Sequence, residues 1–417
     1  MQPKDNRYFP IVTETACQLK WSWSTIGLQK GITQSCHRIK SLQFDIDTFN
    51  FHNTSEKILQ REMMLRGEWP GDGCQYCAEI ERAGAGQSDR QFFLNIPNLS
   101  PKELDTDPQA TTVSPTILEV YVDNTCNLGC VYCTPELSSR IDYELKKYGR
   151  FEKNGLVLES TYEKSDRFEY IQEKFWEWMR QNANTLQRFH LLGGEPFYQK
   201  QFDLFLELFD KYPCPDLEFN IVTNLMISTD RLTNYIEKFK KLLTQRKLKR
   251  LEITASIDCW GPQAEYVRYG LDLNLWEKNF KYLMDQRWIK LNVNNTISVL
   301  TIKTLPALLE LMNEWAANRK IEHYFSTTIY PSYMHPAILG SAEFREDFKI
   351  ILDLMETKSW RGEHAKSHML GIVATLEKSI YNEKEVLKLK TFLDENDKRR
   401  GSNWHELFPW LENYNVV

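Results

Sequence analysis

No stretch of this 417-residue chain is apolar for long enough to cross a membrane, which takes about 20 residues in a row. The first eight residues, Met1-Gln2-Pro3-Lys4-Asp5-Asn6-Arg7-Tyr8, contain no apolar core of the kind a secretory signal needs. These two absences predict a soluble, cytoplasmic protein with no membrane partner. Positive charge is not in excess. Lys and Arg number 52 against 57 Asp and Glu, a net charge of −5, which disfavours nonspecific binding to nucleic acid. Internal repeats and low-complexity segments are missing. So is an even set of cysteines: nine in a chain of this character argue against a disulfide framework.

Apolar residues make up 42% of the chain and aromatics 13%, enough for a sizeable core. The length predicts a large core domain with one or two smaller units. Seven of the nine cysteines fall into two groups, each with a C-x2-C pair, and that grouping favours metal over disulfides.

The first group lies in residues 1–97. Cys17 and Cys36 stand near the outer ends of a hairpin expected around Leu19–Ile26 and Thr33–Ile39. A helix is expected over Ser55–Arg66, with Ile58, Leu59, Met63 and Leu65 partly on one face, ending at Gly67. A tight loop, Trp69-Pro70-Gly71-Asp72-Gly73, then delivers Cys74-Gln75-Tyr76-Cys77. Four such thiolates suit a closed tetrahedral zinc site or a fully ligated iron–sulfur cluster, and spacing alone does not separate the two. Residues 98–116 are polar and proline-bearing, and read as a linker.

From residue 117 to 335 short apolar strands alternate with amphipathic helices. Strands are expected at Leu118–Val122, Arg188–Leu192, Leu217–Thr223, Leu251–Ile257, Leu291–Val299 and Tyr324–Tyr330. Helical stripes such as Phe202, Phe205, Leu206 and Phe209 lie between them. Further stripes are Ile171, Phe175, Trp178, Met179 and Leu305, Leu308, Leu309, Met312. Six βα units imply an α/β fold with a parallel sheet, curved as an open or partial barrel, with its chemistry at the carboxyl ends of the strands. Residues 336–417 read as a helical C-terminal extension (Ala342–Glu356, His368–Tyr381, Glu383–Asp394). Its Lys398-Arg399-Arg400 run reads as a solvated face.

The second cysteine group follows the first of those six strands: Cys126-Asn127-Leu128-Gly129-Cys130-Val131-Tyr132-Cys133. A cubane [4Fe–4S] cluster is usually held by four thiolates, so three leave one iron open to something other than protein. After the second strand comes Gly193-Gly194-Glu195-Pro196. Alone, that is an ordinary strand-to-helix turn.

Together, C-x3-C-x2-C after the first strand and Gly-Gly-Glu-Pro after the second resemble the radical S-adenosylmethionine (radical SAM) superfamily. The resemblance implies a partial (β/α)6 barrel. It implies a [4Fe–4S] cluster on Cys126, Cys130 and Cys133 whose open iron chelates SAM. Gly194 and Glu195 would recognise the SAM amino group, a charge-assisted pairing that fixes orientation. Thr223-Asn224 at the third strand end resembles the Thr-Asn found there in many members. Ser256-Ile257-Asp258 resembles the Ser-x-Asp-Gly of the peptide-modifying branch, with Ser256 a polar contact to SAM. Arg268 matches a downstream arginine that contacts the SAM carboxylate. Tyr132, Gly193 and Asp258 join the expected SAM site, and Asn295 is a weaker pocket candidate. Cys259 stands where the branch has Gly; it is either a packing residue or a thiol at the active-site mouth. Cys214 reads as structural.

The first cysteine group also gains a resemblance. Cys17 and Cys36 fit C-x13-G-x4-C with Gly31, and Cys74-x2-Cys77 follows, like the opening of the SPASM/twitch auxiliary-cluster domain. With no further cysteine before Cys126, this looks like the one-cluster twitch type, placed before the barrel where most relatives carry it after. It implies an auxiliary [4Fe–4S] cluster on Cys17, Cys36, Cys74 and Cys77. The resemblance further implies reductive cleavage of SAM to a 5′-deoxyadenosyl radical, a flavodoxin- or ferredoxin-type electron donor, and a peptide or protein side chain as substrate. A small molecule, such as a nucleotide or cofactor precursor, is the alternative substrate. A non-catalytic iron–sulfur or zinc protein is the alternative of another class; loss of Glu195 or of a barrel cysteine would mark it, and all are present.

Overall fold

The computed structural model describes residues 8–71, 73–84, 87–316, 319–356 and 363–414. The first seven residues, read above for an apolar core, and Asp72 of the expected loop lie outside them. A nine-stranded sheet organises the chain: β1 (Trp23–Gly27), β2 (Ile32–Gln34), β3 (Leu42–Gln43), β4 (Ile117–Tyr121), β5 (Arg188–Leu192), β6 (Cys214–Thr223), β7 (Leu248–Ser256), β8 (Lys290–Ile297) and β9 (Glu322–Thr327). Their order across the sheet is β9-β8-β7-β6-β5-β4-β1-β2-β3. β4 to β9 are all parallel and lie side by side in chain order, so each βα unit adds one strand to the same edge. The fold is mixed α/β with a large, mostly parallel sheet, and each of the six expected strands overlaps an observed one.

The helices between these strands bury the stripes that their spacing marks. Phe202, Phe205, Leu206 and Phe209 are buried, as are Leu305, Leu308, Leu309 and Met312. Phe219 of β6 is packed among the rings of Phe189, Phe205, Phe209 and Phe239, at centroid distances of 5.2, 6.2, 5.6 and 5.4 Å. Edge and tilted contacts of this kind add to the area that the rings bury.

Three expectations change in the N-terminal part. The hairpin is present, with β1 and β2 antiparallel, but Gln18–Ser22 is helical and β1 starts only at Trp23. β1 also joins the main sheet, parallel to β4, with Thr25 Oγ1 donating to the buried Glu119 at 2.7 Å. The segment 98–116 carries a short helix (Glu103–Thr106) and buries Leu99, Leu104 and Val113 in the same apolar cluster as Cys17 and Cys74.

The helix Ser55–Leu65 turns a different face inward from the one its apolar residues suggest. It buries Lys57, Arg61 and Met64, while Leu59 is exposed. The reason lies in unfilled backbone acceptors. Lys57 Nζ donates to Thr33 Oγ1, Phe51 O and Ser24 Oγ at 2.7–2.9 Å, tying β1 to β2. Arg61 donates to Lys20 O and Thr111 O at 2.7 Å. Burial and the neighbouring Arg61 charge hold the Lys57 amine well below its usual range. Satisfying several buried carbonyls outweighed burying one leucine.

The C-terminal extension is helical as expected, at Arg345–Met355, Glu363–Leu376 and Glu383–Arg400. In the Lys398-Arg399-Arg400 run Lys398 is exposed as expected, but the other two are not, which corrects the expectation of a solvated face for them. The Arg399 and Arg400 side chains are buried, paired with Glu395 and Glu144 respectively. Arg399 lies over Tyr148 and Arg400 over Tyr269, so aromatic faces replace water around both guanidiniums. No helix among the described residues is long and apolar enough to cross a membrane.

Phe219→Ala should cost about 3–5 kcal/mol as a cavity in the central aromatic packing, and Leu59→Ala at most about 0.5 kcal/mol. Urea denaturation of the two variants measures the contrast; equal midpoints would contradict this account of the core.

Candidate active site

β4 is buried along most of its length and hands the chain to the loop 122–138. That loop carries Cys126, Cys130 and Cys133 and is fastened at several points. Gly129–Cys130 pairs antiparallel with Arg268–Tyr269, and Val131 N donates to Val267 O at 2.9 Å. Ser138 Oγ donates to Leu128 O at 2.8 Å, and Ser139 Oγ accepts from Cys126 N at 3.1 Å. The following helix (Ser139–Tyr148) is capped by Ser138. The cysteine loop is therefore held by its own helix and by the segment after β7.

The turn after β5 presses against the same loop. Gly194 has φ +58°, and a Cβ there would lie 2.2 Å from Thr125 O, so only glycine lets the two backbones meet. Gly194 N donates to Leu137 O at 3.1 Å and Glu195 N to Thr125 O at 2.8 Å. Pro196 opens a single 3-10 turn, and Glu195 caps it.

Glu195 is only 1% exposed. Its Oε1 accepts from Thr223 Oγ1 at 2.7 Å, and its Oε2 from Asn224 N at 2.7 Å. Asn224 Nδ2 in turn donates to Asn127 Oδ1 at 2.9 Å and lies 4.0 Å from Cys126 Sγ. Burial drives the Glu195 carboxyl up to about 7, against the opposing hydrogen bonds from Asn224, Thr223 and Phe197. The ends of β5 and β6 thus converge on the cysteine loop.

The end of β7 supplies a second anchor. Asp258 is buried and grips Arg268 in a fork, with Nε to Oδ2 at 2.9 Å and Nη2 to Oδ1 at 2.8 Å. Tyr132 OH donates to Oδ2 at 2.6 Å and Thr296 N to Oδ1 at 2.9 Å. Burial works against the Arg268 charge, but the Asp258 carboxylate outweighs it and raises the pKa well above the usual value. Burial raises the Tyr132 phenol as well. Ser256, at the end of β7, is buried. Asn295 is spent on a backbone carbonyl, Ile257 O, at 2.5 Å.

The three thiols sense one another. Burial pushes Cys126 up to about 12, with Cys130 adding to the shift, and Cys133 is raised by burial and then by both partners. Arg268 and Arg400 oppose the burial of Cys130. Cys259 is fully buried, in line with the packing alternative, and burial takes its thiol up to about 12. Cys214 is buried at the start of β6.

The N-terminal cysteines form a second group. Cys17 precedes the helix Gln18–Ser22, and Cys36 follows β2. Cys74 and Cys77 share one face of the helix Cys74–Ala83, three residues apart, so the expected loop ends one residue before the first of them. Gly73 has φ +66°, and a Cβ there would meet Arg38 O at 2.1 Å, which sets this helix start against the chain just after Cys36. Burial raises Cys17 to about 12, with Cys36 and Cys74 contributing and Lys20 opposing. Cys74 likewise acts on Cys36 and Cys77.

Among the described residues, no three His, Cys, Asp or Glu side chains are gathered closely enough to hold a single metal ion. A cubane spreads its thiolates over several irons, so its ligands need not meet at one point. Sequence reasoning missed Asn127, which links the cysteine loop to Asn224 and, through Nδ2, to Met226 O at 2.8 Å. Its position inside the cysteine motif was the available signal. It also missed Ser138, Ser139 and Arg400, which lie outside any motif.

No family model matches the chain, and no curated protein matches it. Solved structures are similar to it in part, two of them as follows. The crystal structure of Streptococcus suis SuiB bound to precursor peptide SuiA matches over 92% of this chain and 70% of its own, at 13% identity and a TM-score of 0.35. Native anSMEcpe with bound AdoMet matches over 58% of this chain and 59% of its own, at 15% identity and a TM-score of 0.37. Likenesses this loose carry no argument about the site.

Gly194→Ala should detach the β5 turn from Thr125 and loosen the cysteine loop. Gly67→Ala, with φ +78° but open space around it, should show backbone strain alone. Hydrogen exchange of residues 124–133 distinguishes them: faster exchange is expected for Gly194→Ala only.

Proposed function

We propose that the chain is a radical SAM enzyme, built on a partial barrel of six βα units, that removes a hydrogen atom from a peptide or protein side chain. The observation that carries this reading is the convergence on one loop of three coupled cysteines and a buried, hydrogen-bonded carboxylate. The donor set fits a [4Fe–4S] cluster: Cys126, Cys130 and Cys133 would hold it, and their thiols would lose their protons on binding, since a thiolate is the ligand. When bound, the cluster would supply the one electron needed for reductive cleavage of SAM to methionine and a 5′-deoxyadenosyl radical, the agent that would remove the substrate hydrogen.

The chain's own groups bind and orient. Glu195 is fixed by Thr223 and Asn224 N, so its carboxylate is positioned before a ligand arrives. An ammonium placed against it gains a charge-assisted hydrogen bond in a poorly solvated setting. Gly193 and Gly194, packed against Tyr121 and Thr125, form the turn that presents Glu195, and Ser256 adds a polar contact at the next strand end. Arg268 is committed to Asp258 through Nε and Nη2. It therefore holds Tyr132 and the cysteine loop in place, and any contact to a SAM carboxylate falls to its remaining nitrogen.

Cys17, Cys36, Cys74 and Cys77 would hold the auxiliary cluster. The likeness of Cys17-x13-Gly31-x4-Cys36 and Cys74-x2-Cys77 to an auxiliary-cluster domain supports a multi-iron group over one zinc ion. We assign that cluster electron relay or structural support, with a flavodoxin or ferredoxin as the electron donor.

Anaerobic reconstitution with iron and sulfide, followed by dithionite and SAM, should yield 5′-deoxyadenosine; its absence with an intact cluster verified by EPR sinks the enzymatic reading. Cys126→Ala should abolish the product.

SAM affinity should also depend on pH. Glu195 is raised to about 7 in the free protein, so below that value it is increasingly protonated and cannot pair with an ammonium. Affinity should fall about tenfold from pH 8 to pH 6, since one pKa unit is a tenfold effect. Equilibrium dialysis of wild type and Glu195→Gln tests this: the variant should bind weakly with no such dependence.

A further inference from the structure

A cavity of about 410 Å³ opens beside the cysteine loop. Val131, Cys133 and Glu136 of that loop form one wall, and the helix Glu383–Arg400 forms another. A third wall is the hairpin Phe151–Lys153/Leu156–Leu158, which pairs with no other strand among the described residues. Only its second strand faces the space: residues 155–159 all line it, and none of 151–153 does. Successive side chains of a strand point to opposite faces. An unbroken run of lining residues therefore means that this strand turns its backbone edge to the cavity.

That edge is unpaired. The turn Asn154-Gly155, with φ +53° and +75°, closes a two-residue hairpin in which Lys153 and Leu156 exchange backbone hydrogen bonds. Bonded pairs alternate with non-bonded ones, so Phe151 and Leu158 form the next bonded pair. Val157, opposite Glu152, stands between them, and its N–H and C=O point away from the partner strand. Val157 is 46% exposed, so these groups can be reached from the cavity. Free edges are usually guarded by a charge or a proline, whereas this one carries Leu156-Val157-Leu158. An N–H and a C=O side by side on a strand edge are matched by the C=O and N–H of an extended chain.

The charges around the cavity narrow that chain. Glu144 pairs with Arg400, Glu159 with Arg150, Lys388 with Glu385 and Arg399 with Glu395. Glu136, exposed on the opposite wall, makes no ion pair among the described residues. A basic residue in the occupant complements it. Thr134, Thr161, Ser332 and Asn396 add polar lining for the rest of a backbone, and Tyr330, exposed at the rim after β9, offers an aromatic face.

We infer that this edge is the docking site for the substrate: an extended peptide segment adds to the hairpin as a third strand. The segment exchanges backbone hydrogen bonds with Val157, lies beside Cys133, and sets a basic residue against Glu136. The inference deepens the proposed function and rests on it, yet it is tested by binding alone. Formation of 5′-deoxyadenosine without any peptide survives or fails independently of it.

The test uses the reconstituted full chain and the blocked peptide acetyl-Val-Thr-Lys-Thr-Val-amide, with hydrogen exchange read at single residues and ligand-observed NMR titration. Binding should slow exchange at Val157 N–H about tenfold, while Leu156 and Leu158, already bonded within the hairpin, change little. Val157→Pro removes the donor and fills the edge at a position where the hairpin needs no N–H, and should weaken the peptide about tenfold. Val157→Ala keeps the backbone and should bind within about twofold of wild type. Unchanged slow exchange at Leu156 and Leu158 verifies the hairpin in the proline variant. Independently of any variant, singly N-methylated peptides should lose binding at alternate residues only. Replacing the central Lys of the peptide by Gln should weaken it about threefold in wild type and not in Glu136→Gln. The docking site is overturned if the peptide fails to bind up to its solubility limit, or if Val157→Pro with an intact hairpin binds it as wild type does. It is equally overturned if the losses on N-methylation do not alternate, or if SAM displaces the peptide. Equal affinity of the Lys and Gln peptides in wild type overturns the pairing with Glu136.

Discussion

The close approach of Gly194 to the carbonyl of Thr125 is the constraint on which the rest of the site depends. It is a contact between two backbones, made where a side chain would not fit. It brings the β5 turn against the cysteine loop, and with it the Glu195 carboxylate. Thr223 and Asn224 then fix that carboxylate from the end of β6, and Asn224 reaches back to Asn127 beside Cys126. The sheet contributes by setting three consecutive strand ends level. The N-terminal cysteines use the same device, with Gly73 against Arg38 O bringing a helix start beside Cys36.

Charge is arranged around both groups of thiols in a consistent way. Buried thiols resist ionisation, and a positive charge nearby works against that resistance. Arg268 and Arg400 supply it around Cys130, and Lys20 around Cys17. Arg268 is itself held by Asp258, so its charge is stationary. In a buried pair of this kind, loss of one partner leaves the other uncompensated at a cost of about 3–5 kcal/mol. Asp258 is thus as much a part of the cysteine loop's support as the loop's own hydrogen bonds.

Much of the fold was legible because six apolar runs alternated with helical stripes, a pattern that few arrangements satisfy. The candidate site was legible because its parts are short motifs at strand ends: three cysteines, Gly-Gly-Glu, Thr-Asn and Ser-x-Asp. The illegible parts share a cause. β1 joins the sheet next to β4, a pairing set by distant residues and not by local pattern. Lys57 and Arg61 turned inward to serve acceptors that include distant ones, at Ser24, Thr33, Lys20 and Thr111. Arg399 and Arg400 looked like surface charge, and became buried through Glu395, Glu144 and two tyrosines, three of these far away in sequence. Periodicity reports on what is apolar; it is silent on polar groups that find partners at long range.

The place of β1 in the sheet has a consequence for how the chain is made. Thr25 and Glu119, bonded across β1 and β4, are 94 residues apart. At about 5–20 residues per second, synthesis delivers β4 some 5–20 seconds after β1. During that interval one edge of β1 is an unpaired strand edge, the kind of surface that seeds association between chains. Its other edge is occupied by β2, and the buried Lys57 clamps the two together. That clamp keeps the hairpin in register while it waits, so the nascent chain presents a formed template to β4 when β4 arrives.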